Sequence, residues 1–305
     1  METPGNRRDG GGDVRAAGGK FRRANGRSAV SAAPLIMGIV NVTPDSFSGD
    51  GLAGDGYVSR AVAQAERMAQ DGADMLDIGG ESSRPGADPV PVAEEIRRVV
   101  PVIAAIAAKL SLPIAVDTTK PEVAEAALQA GASIVNDVRA LIAAHMSDVA
   151  AQHGAKVVLM HNRSKPYGVI RDGRIGGQYD APVYTDVVQE VADSLAARAE
   201  CAMKAGVARE KIILDPGIGF GKNVAQNLAL IAHLDRIKAF GFPVLMGVSR
   251  KSFIGQVLDV PVEDRLEGTT ACVAACVLRG ADILRVHDVR FMARVAKMAA
   301  AIRDA

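Results

Sequence analysis

A single (β/α)8 barrel is the fold class that this 305-residue sequence predicts, and three observations carry that prediction. Eight short apolar runs occur in series, continuous rather than alternating, as strands read when both faces of a parallel sheet are covered. Stretches with helical periodicity separate them. The first run is not followed by Gly-x-Gly-x-x-Gly, and a doubly wound sheet, the rival architecture, would also need fewer strands per domain.

In chain order, the first run spans residues 35–40 and ends at Asn41. The loop "TPDSFSGDG" follows, then a helical pattern over 57–70. The second pair is 74–78 and 92–109. The third is 113–116 and 121–129, where Pro121 suits a first helical turn. The fourth is 133–135 with about 145–152, and the fifth 156–160 with 183–204. The last three are 211–214 with 225–239, 243–246 with 262–278, and 282–286 with 289–302. Gly72, Gly131, Gly206, Gly241 and Gly280 fall where helices end before the next strand, and Asp259 and Asp288 fall near expected helix starts. Residues 163–182 are long and Gly-rich for a barrel loop, and read as a lid or as a disordered insertion.

Composition bounds the function. Hydrophobic residues make up 49% and charged residues 23%, ample for one large core. The formal net charge of +1 points to neither nucleic acid nor membrane. With no Trp and 4% aromatics, base stacking on single strands is not the theme. Three Cys (Cys201, Cys272, Cys276) give neither a disulfide framework nor metal-site spacing with His, and read as small hydrophobes. Residues 1–33 differ from the rest. They hold seven Gly and seven Lys or Arg against three acids, net +4, which leaves −3 for residues 34–305. Without an apolar run, that segment is neither a signal peptide nor a membrane span, and reads as a disordered basic tail preceding the barrel domain.

In such a barrel, function lies at the C-terminal ends of the strands. Those ends read Asn41; Asp77 with Gly79, Gly80 and Glu81; Asp117; Asn136 with Asp137; His161 with Asn162; Asp215; Ser249 with Arg250 and Lys251; and Arg285 with His287. Any one of these residues is ordinarily a cap or a loop organiser. Eight polar ends around one rim are better explained by a binding site. Asp117, Asn136 and Asp215 supply acceptors and an amide, and Lys251 is a donor able to keep carboxylates ionised. That set suits a flat heterocycle with a guanidine-like donor edge. Asn41, Arg84, Arg285 and His287 suit an anion, with an Asn oxygen plus waters for a Mg²⁺ that bridges phosphates. No nucleophilic triad is signalled, which fits departure of a leaving group helped by metal and cations. "DPGIGFGKN" is not a Walker loop, because Asn223 follows Lys222; it reads as a glycine-rich pocket wall with Asn223 capping the next helix.

The motifs "MGIVNVTPDSFS", "DIGGESSRPG", "VDTTKPEVAEAAL", "IVNDV", "LMHNR", "DPGIGFGK", "GVSRKSFIG" and "ILRVHDV", in this order, resemble the dihydropteroate synthase family over residues 34–302. The resemblance implies a barrel, usually dimeric, that joins p-aminobenzoate to 6-hydroxymethyl-7,8-dihydropterin diphosphate in folate synthesis, with sulfonamides competing for the p-aminobenzoate site. It implies that Asp117, Asn136, Met160, Asp215 and Lys251 hold the pterin, with Arg285 stacked over it. Asn41, Arg285 and His287 hold the diphosphate, and Asn41 lies near Mg²⁺. Phe47, Arg84, Pro85, Phe220, Lys251 and Ser252 form the p-aminobenzoate site, with Ser252 opening a helix after the seventh strand. Asp45, Phe47, Asp50 and Ser82 serve loop closure. The catalytic set is then Asn41, Asp117, Asp215, Lys251, Arg285 and His287, in a cytoplasmic homodimer that binds no nucleic acid and no membrane.

Three departures stand out. The first loop reads Ser48-Gly49-Asp50-Gly51 where the family has Ser-Asp-Gly-Gly, Arg139 and Ala140 replace a Gly and a neutral residue, and segment 163–182 is long. The rival functions are a methyltetrahydrofolate-corrinoid methyltransferase and a paralogue that binds pterins without turnover.

Overall fold

In the computed structural model, the described residues are 1, 33–43, 56–82, 87–164, 169–172, 176–179 and 181–305. Eight parallel strands form the barrel: β1 (Leu35–Asn41), β2 (Met75–Gly79), β3 (Ile114–Asp117), β4 (Ile134–Asp137), β5 (Lys156–Met160), β8 (Ile212–Asp215), β9 (Leu245–Met246) and β10 (Ile283–Val286). They pair in the order β8-β5-β4-β3-β2-β1-β10-β9. A parallel bridge between Leu214 and Val244 brings the two ends of that order together. Each run that the sequence marks as a strand is present, within a few residues at either end.

The apolar runs are continuous because the strand has two buried sides. Met37, Met75, Ala115, Ile134, Val158, Ile213, Leu245 and Ile283, one per strand, point inward and fill the barrel with a dry plug. Their chain neighbours, such as Ile36, Leu76, Val135, Val157, Ile212 and Leu284, point outward into the layer under the helices. Each fully buried Ile, Leu or Met contributes about 1.5–3 kcal/mol, so the plug is a large share of what closes the sheet.

The helices are α1 (Tyr57–Gln70), α2 (Val92–Ala107), α3 (Pro121–Gln129), α4 (Met146–Gln152), α5 (Val187–Lys204), α6 (Val224–Ala232), α7 (Leu234–Lys238), α8 (Ser252–Leu258), α9 (Leu266–Leu278) and α10 (Val289–Arg303). Pro121 opens α3, and Asn223 forms a capping box with Gln226 on α6. Four details differ from the sequence reading. The 225–239 pattern breaks at His233, whose backbone leaves the helical region (φ −116, ψ 36). The 262–278 pattern is a 3-10 turn, Val262–Asp264, followed by α9. Asp259 ends α8 in the left-handed conformation (φ 57) instead of starting a helix, a role that a short polar side chain tolerates. Asp288 precedes α10 as expected, but its carboxylate goes to Arg250 at 2.6 and 3.0 Å.

The described residues within 163–182 include two short strands. Val169–Asp172 (β6) pairs antiparallel with Gly176–Tyr179 (β7), the β-branched Val169 and Ile170 supplying strand propensity. After β4, Ala140 and Leu141 both take positive φ (53 and 56). Asp137 accepts from the backbone N–H groups of Arg139 (2.7 Å) and Leu141 (2.8 Å), and Arg198 donates to the carbonyls of Ala140 and Leu141. Asp137 is thus a loop organiser, and burial pushes its carboxyl up to about 6. Asn162 is another organiser: its Oδ1 accepts from Ser164 N and Oγ.

Candidate active site

Along a strand, every second residue faces the barrel interior. Two residues beyond the plug, the inward positions become Asp77, Asp117, Asn136, Met160, Asp215 and Arg285; two further on come Gly79 and His287, and Asn41 lies four beyond Met37 on β1. One regular step therefore turns a dry interior into a polar floor. Register places Gly79, Asp117 and Asn136 side by side across β2, β3 and β4, and Met160 beside Asp215 across β5 and β8.

The floor is a charge network. The Arg285 guanidinium donates from Nη2 to Asp117 Oδ2 at 2.7 Å and from Nε to Asp77 Oδ2. Asn136 Nδ2 donates to the same Asp77 oxygen at 3.0 Å. Asp77 is fully buried, and its Oδ1 has no hydrogen-bond partner among the described residues. Burial works against charge on Arg285, but Asp77 and Asp117 outweigh it and hold the guanidinium protonated. Burial, reinforced by the Asp77 charge, raises Asp117 despite Arg285; burial likewise raises Asp215 despite the Gly217 N–H bond, Lys251, Arg285 and Lys222. Lys251 therefore does not keep these carboxylates at ordinary acidity, as its sequence position suggests. Desolvation wins because the groups sit at the bottom of a packed barrel.

Around this floor stand the other candidates. Asn41 and Asp117 flank Gly79: a Cβ at Gly79 would lie 3.6 Å from Asp117 Cβ and 3.9 Å from Asn41 Oδ1. His287 is oriented by Ser249, whose Oγ lies 3.0 Å from Nδ1 and accepts from His287 N–H at 3.2 Å. Lys251 Nζ sits 4.2 Å above the Phe220 ring, a cation–π contact. Ser252 is the first residue of α8. Ser82 ends the described part of the second loop and is half-buried. Asp45, Phe47, Asp50, Arg84 and Pro85 lie outside the described residues, as does nearly all of the 1–33 tail.

Of two other strand-end residues, one is an organiser. Glu81 accepts from Val90 N–H at 2.9 Å and pairs with Lys120, which also pairs with buried Glu95. His161, one residue past inward-facing Met160, is buried beside Tyr184, ring centroids 6.2 Å apart; burial lowers it to about 3, so it is neutral. Conversely, Asp77 and Ser249 read from sequence only as polar strand ends, yet they fix Arg285 and His287. The signal for both is the same inward periodicity that marks Asp117 and Asn136.

A pterin-binding enzyme family model matches residues 37–287. A dihydropteroate synthase of Bacillus subtilis is 47% identical over 267 residues, covering 87% of each chain. The chain belongs to the dihydropteroate synthase family of pterin-binding enzymes. It is, like them, a transferase. Among solved structures, a Xanthomonas albilineans dihydropteroate synthase with 4-aminobenzoic acid superposes with a TM-score of 0.80 at 46% identity, covering 89% of this chain and 94% of the other. A Yersinia pestis dihydropteroate synthase in a sulfonamide complex gives 0.83 at 40% identity, covering 90% and 95%. No helix among the described residues is long and apolar enough to cross a membrane.

Proposed function

We propose that the chain condenses 6-hydroxymethyl-7,8-dihydropterin diphosphate with p-aminobenzoate, giving 7,8-dihydropteroate and diphosphate for folate synthesis. The observation that supports this most is the buried Asp77–Arg285–Asp117 array with Asn136 and Asp215, a floor of acceptors and one cation matched to an aminopyrimidine edge. Asp117, Asn136, Asp215 and Lys251 hold the pterin, Met160 lines its pocket and Arg285 stacks on it. Asn41, Arg285 and His287 receive the diphosphate. Phe47, Arg84, Pro85, Phe220, Lys251 and Ser252 receive p-aminobenzoate, and sulfonamides compete there.

The donor chemistry is compatible with Mg²⁺. Among the described residues no three His, Cys, Asp or Glu side chains converge as a metal cage. Asn41 Oδ1 beside Gly79 offers one hard oxygen, which suits an ion that keeps its waters and takes its other oxygens from a diphosphate. Bound there, Mg²⁺ would neutralise charge on the leaving group. The chain's own residues do the rest. Arg285 and His287 draw off the diphosphate as the C–O electron pair leaves with it. The buried carboxylates face the electron-poor pterin methylene. The arylamine lone pair forms the C–N bond, and the surplus amine proton is released. Loop residues Asp45, Phe47, Asp50 and Ser82 close over the site and exclude water that would trap the cation.

A homodimer in the cytoplasm completes this reading. Leu278 on α9 and Phe291, Met298 and Ile302 on α10 are 46–63% exposed, an apolar surface that a second copy covers. The three cysteines are free thiols, which suits a reducing compartment. The test is to mix pure protein with both substrates and Mg²⁺ and follow diphosphate. Stoichiometric diphosphate and dihydropteroate are expected; tight pterin binding without release would instead identify a non-catalytic pterin binder.

A further inference from the structure

Lys222 is a lysine to which the reaction above gives no task, yet it is only 4% exposed and lies beside the pocket. Its Nζ donates to the carbonyls of Gly217 (2.9 Å), Phe220 (3.0 Å) and His161 (3.3 Å). An ammonium has three donors, and here three carbonyls meet them. Two of these belong to the loop between β8 and α6, and the third to the end of β5. Lys222 thereby ties the glycine-rich loop to a barrel strand.

The loop is built for close approach at that tie. Gly217 has φ +69, and a Cβ there would lie 1.9 Å from His161 O; Gly221 has φ +59, and its Cβ would lie 2.7 Å from Ser164 N. Only glycine permits backbone to meet backbone this closely. The far side of the loop is held by Asn227, 1% exposed, which accepts from Gly219 N–H at 2.7 Å and donates to the carbonyls of Lys222 and Asn223. Between the two anchors lies Phe220, whose N–H donates to Gly217 O at 3.1 Å and whose ring lies under Lys251. Gly219 also abuts the Lys251 stem, a Cβ there falling 3.1 Å from Cδ.

We propose that Lys222 is a positioning residue for the p-aminobenzoate pocket: its buried ammonium clamps the Gly217–Phe220 turn onto the end of β5, and so fixes the Phe220 ring and the Lys251 side chain that rests on it. This rests on the assignment of Phe220 and Lys251 to p-aminobenzoate. Of the pterin residues, Asp117 and Asn136 lie on β3 and β4, away from the clamp, and Asp215 is held by its own strand; only the Gly217 N–H bond to Asp215 and the shared Lys251 couple them to it, so the pterin side is less dependent on the clamp. Burial lowers Lys222 to about 7, with Asp215 opposing the shift and Lys251 and Arg163 adding to it; the neighbouring His161 ring is neutral.

Steady-state kinetics and pterin calorimetry on Lys222→Met and Lys222→Gln test the clamp. Methionine fills the same space with no donor, and glutamine restores two N–H groups. In Lys222→Met the KM for p-aminobenzoate should rise about tenfold or more, the scale of one buried hydrogen bond left unmade. The Kd for pterin diphosphate should change much less, and Lys222→Gln should recover most of the loss. If Lys222→Met does not fold, Lys222→Gln carries the same test, with a smaller rise in KM expected and again little change in pterin Kd. An unchanged KM in a folded, active variant, or equal losses for both substrates, would overturn the proposal. Absence of turnover in the wild-type protein would instead overturn the assigned reaction.

Discussion

The plug and the floor of the barrel are two residues apart and obey opposite rules. Ile213 and Asp215, Ile134 and Asn136, Ile283 and Arg285 share strands and faces. The lower set is apolar and interlocked. The upper set holds two carboxylates and a guanidinium in ion pairs, with one carboxylate oxygen left unmatched. Burying a charge costs several kcal/mol even when paired, so the floor does not make the barrel stable; the plug below and the helices outside do that. The lesson is spatial: a parallel barrel can afford a charged floor because the layer beneath it is dry and complete.

Substitutions in each layer sharpen that contrast. Ile283→Ala in the plug should lower unfolding free energy by about 2–5 kcal/mol, measured by denaturant titration, while kcat/KM of the folded fraction stays near wild type. A large kinetic loss there would break the separation of roles. Arg285→Ala in the floor should do the reverse. It should cut kcat/KM by about 100- to 1,000-fold or more, the scale of one preorganised charge-stabilising donor. Its stability loss should fall short of the 3–5 kcal/mol of a broken buried pair, because Asp117, already raised by burial, can take up a proton. Asn223→Ala lies in neither layer. It removes the α6 cap, and should cost about 1 kcal/mol of stability with unchanged pterin affinity.

The sequence made the floor legible to the extent that it follows period two. Asp117, Asn136, Asp215 and Arg285 all follow an apolar run at the expected step, so the reading that finds the strand also finds its inward polar end. Asn223 was legible because a cap is local. What the sequence hid is non-local. Asp77 meets Arg285 across 208 residues, and Lys222 meets His161 across 61; neither pairing leaves a mark in local spacing. The hairpin β6–β7 was hidden by its glycines, which read as loop until Val169 and Ile170 find a partner strand. The break at His233 was hidden because an apolar helical period continues through it.

The central claim is that the polar layer two residues above the plug is the pterin site. Calorimetric titration of 6-hydroxymethyl-7,8-dihydropterin diphosphate into wild-type protein and Asp117→Asn tests it most directly. A loss of about 1.5–3 kcal/mol in binding free energy is expected, the scale of a charged hydrogen bond. Equal affinity for the two proteins would contradict it.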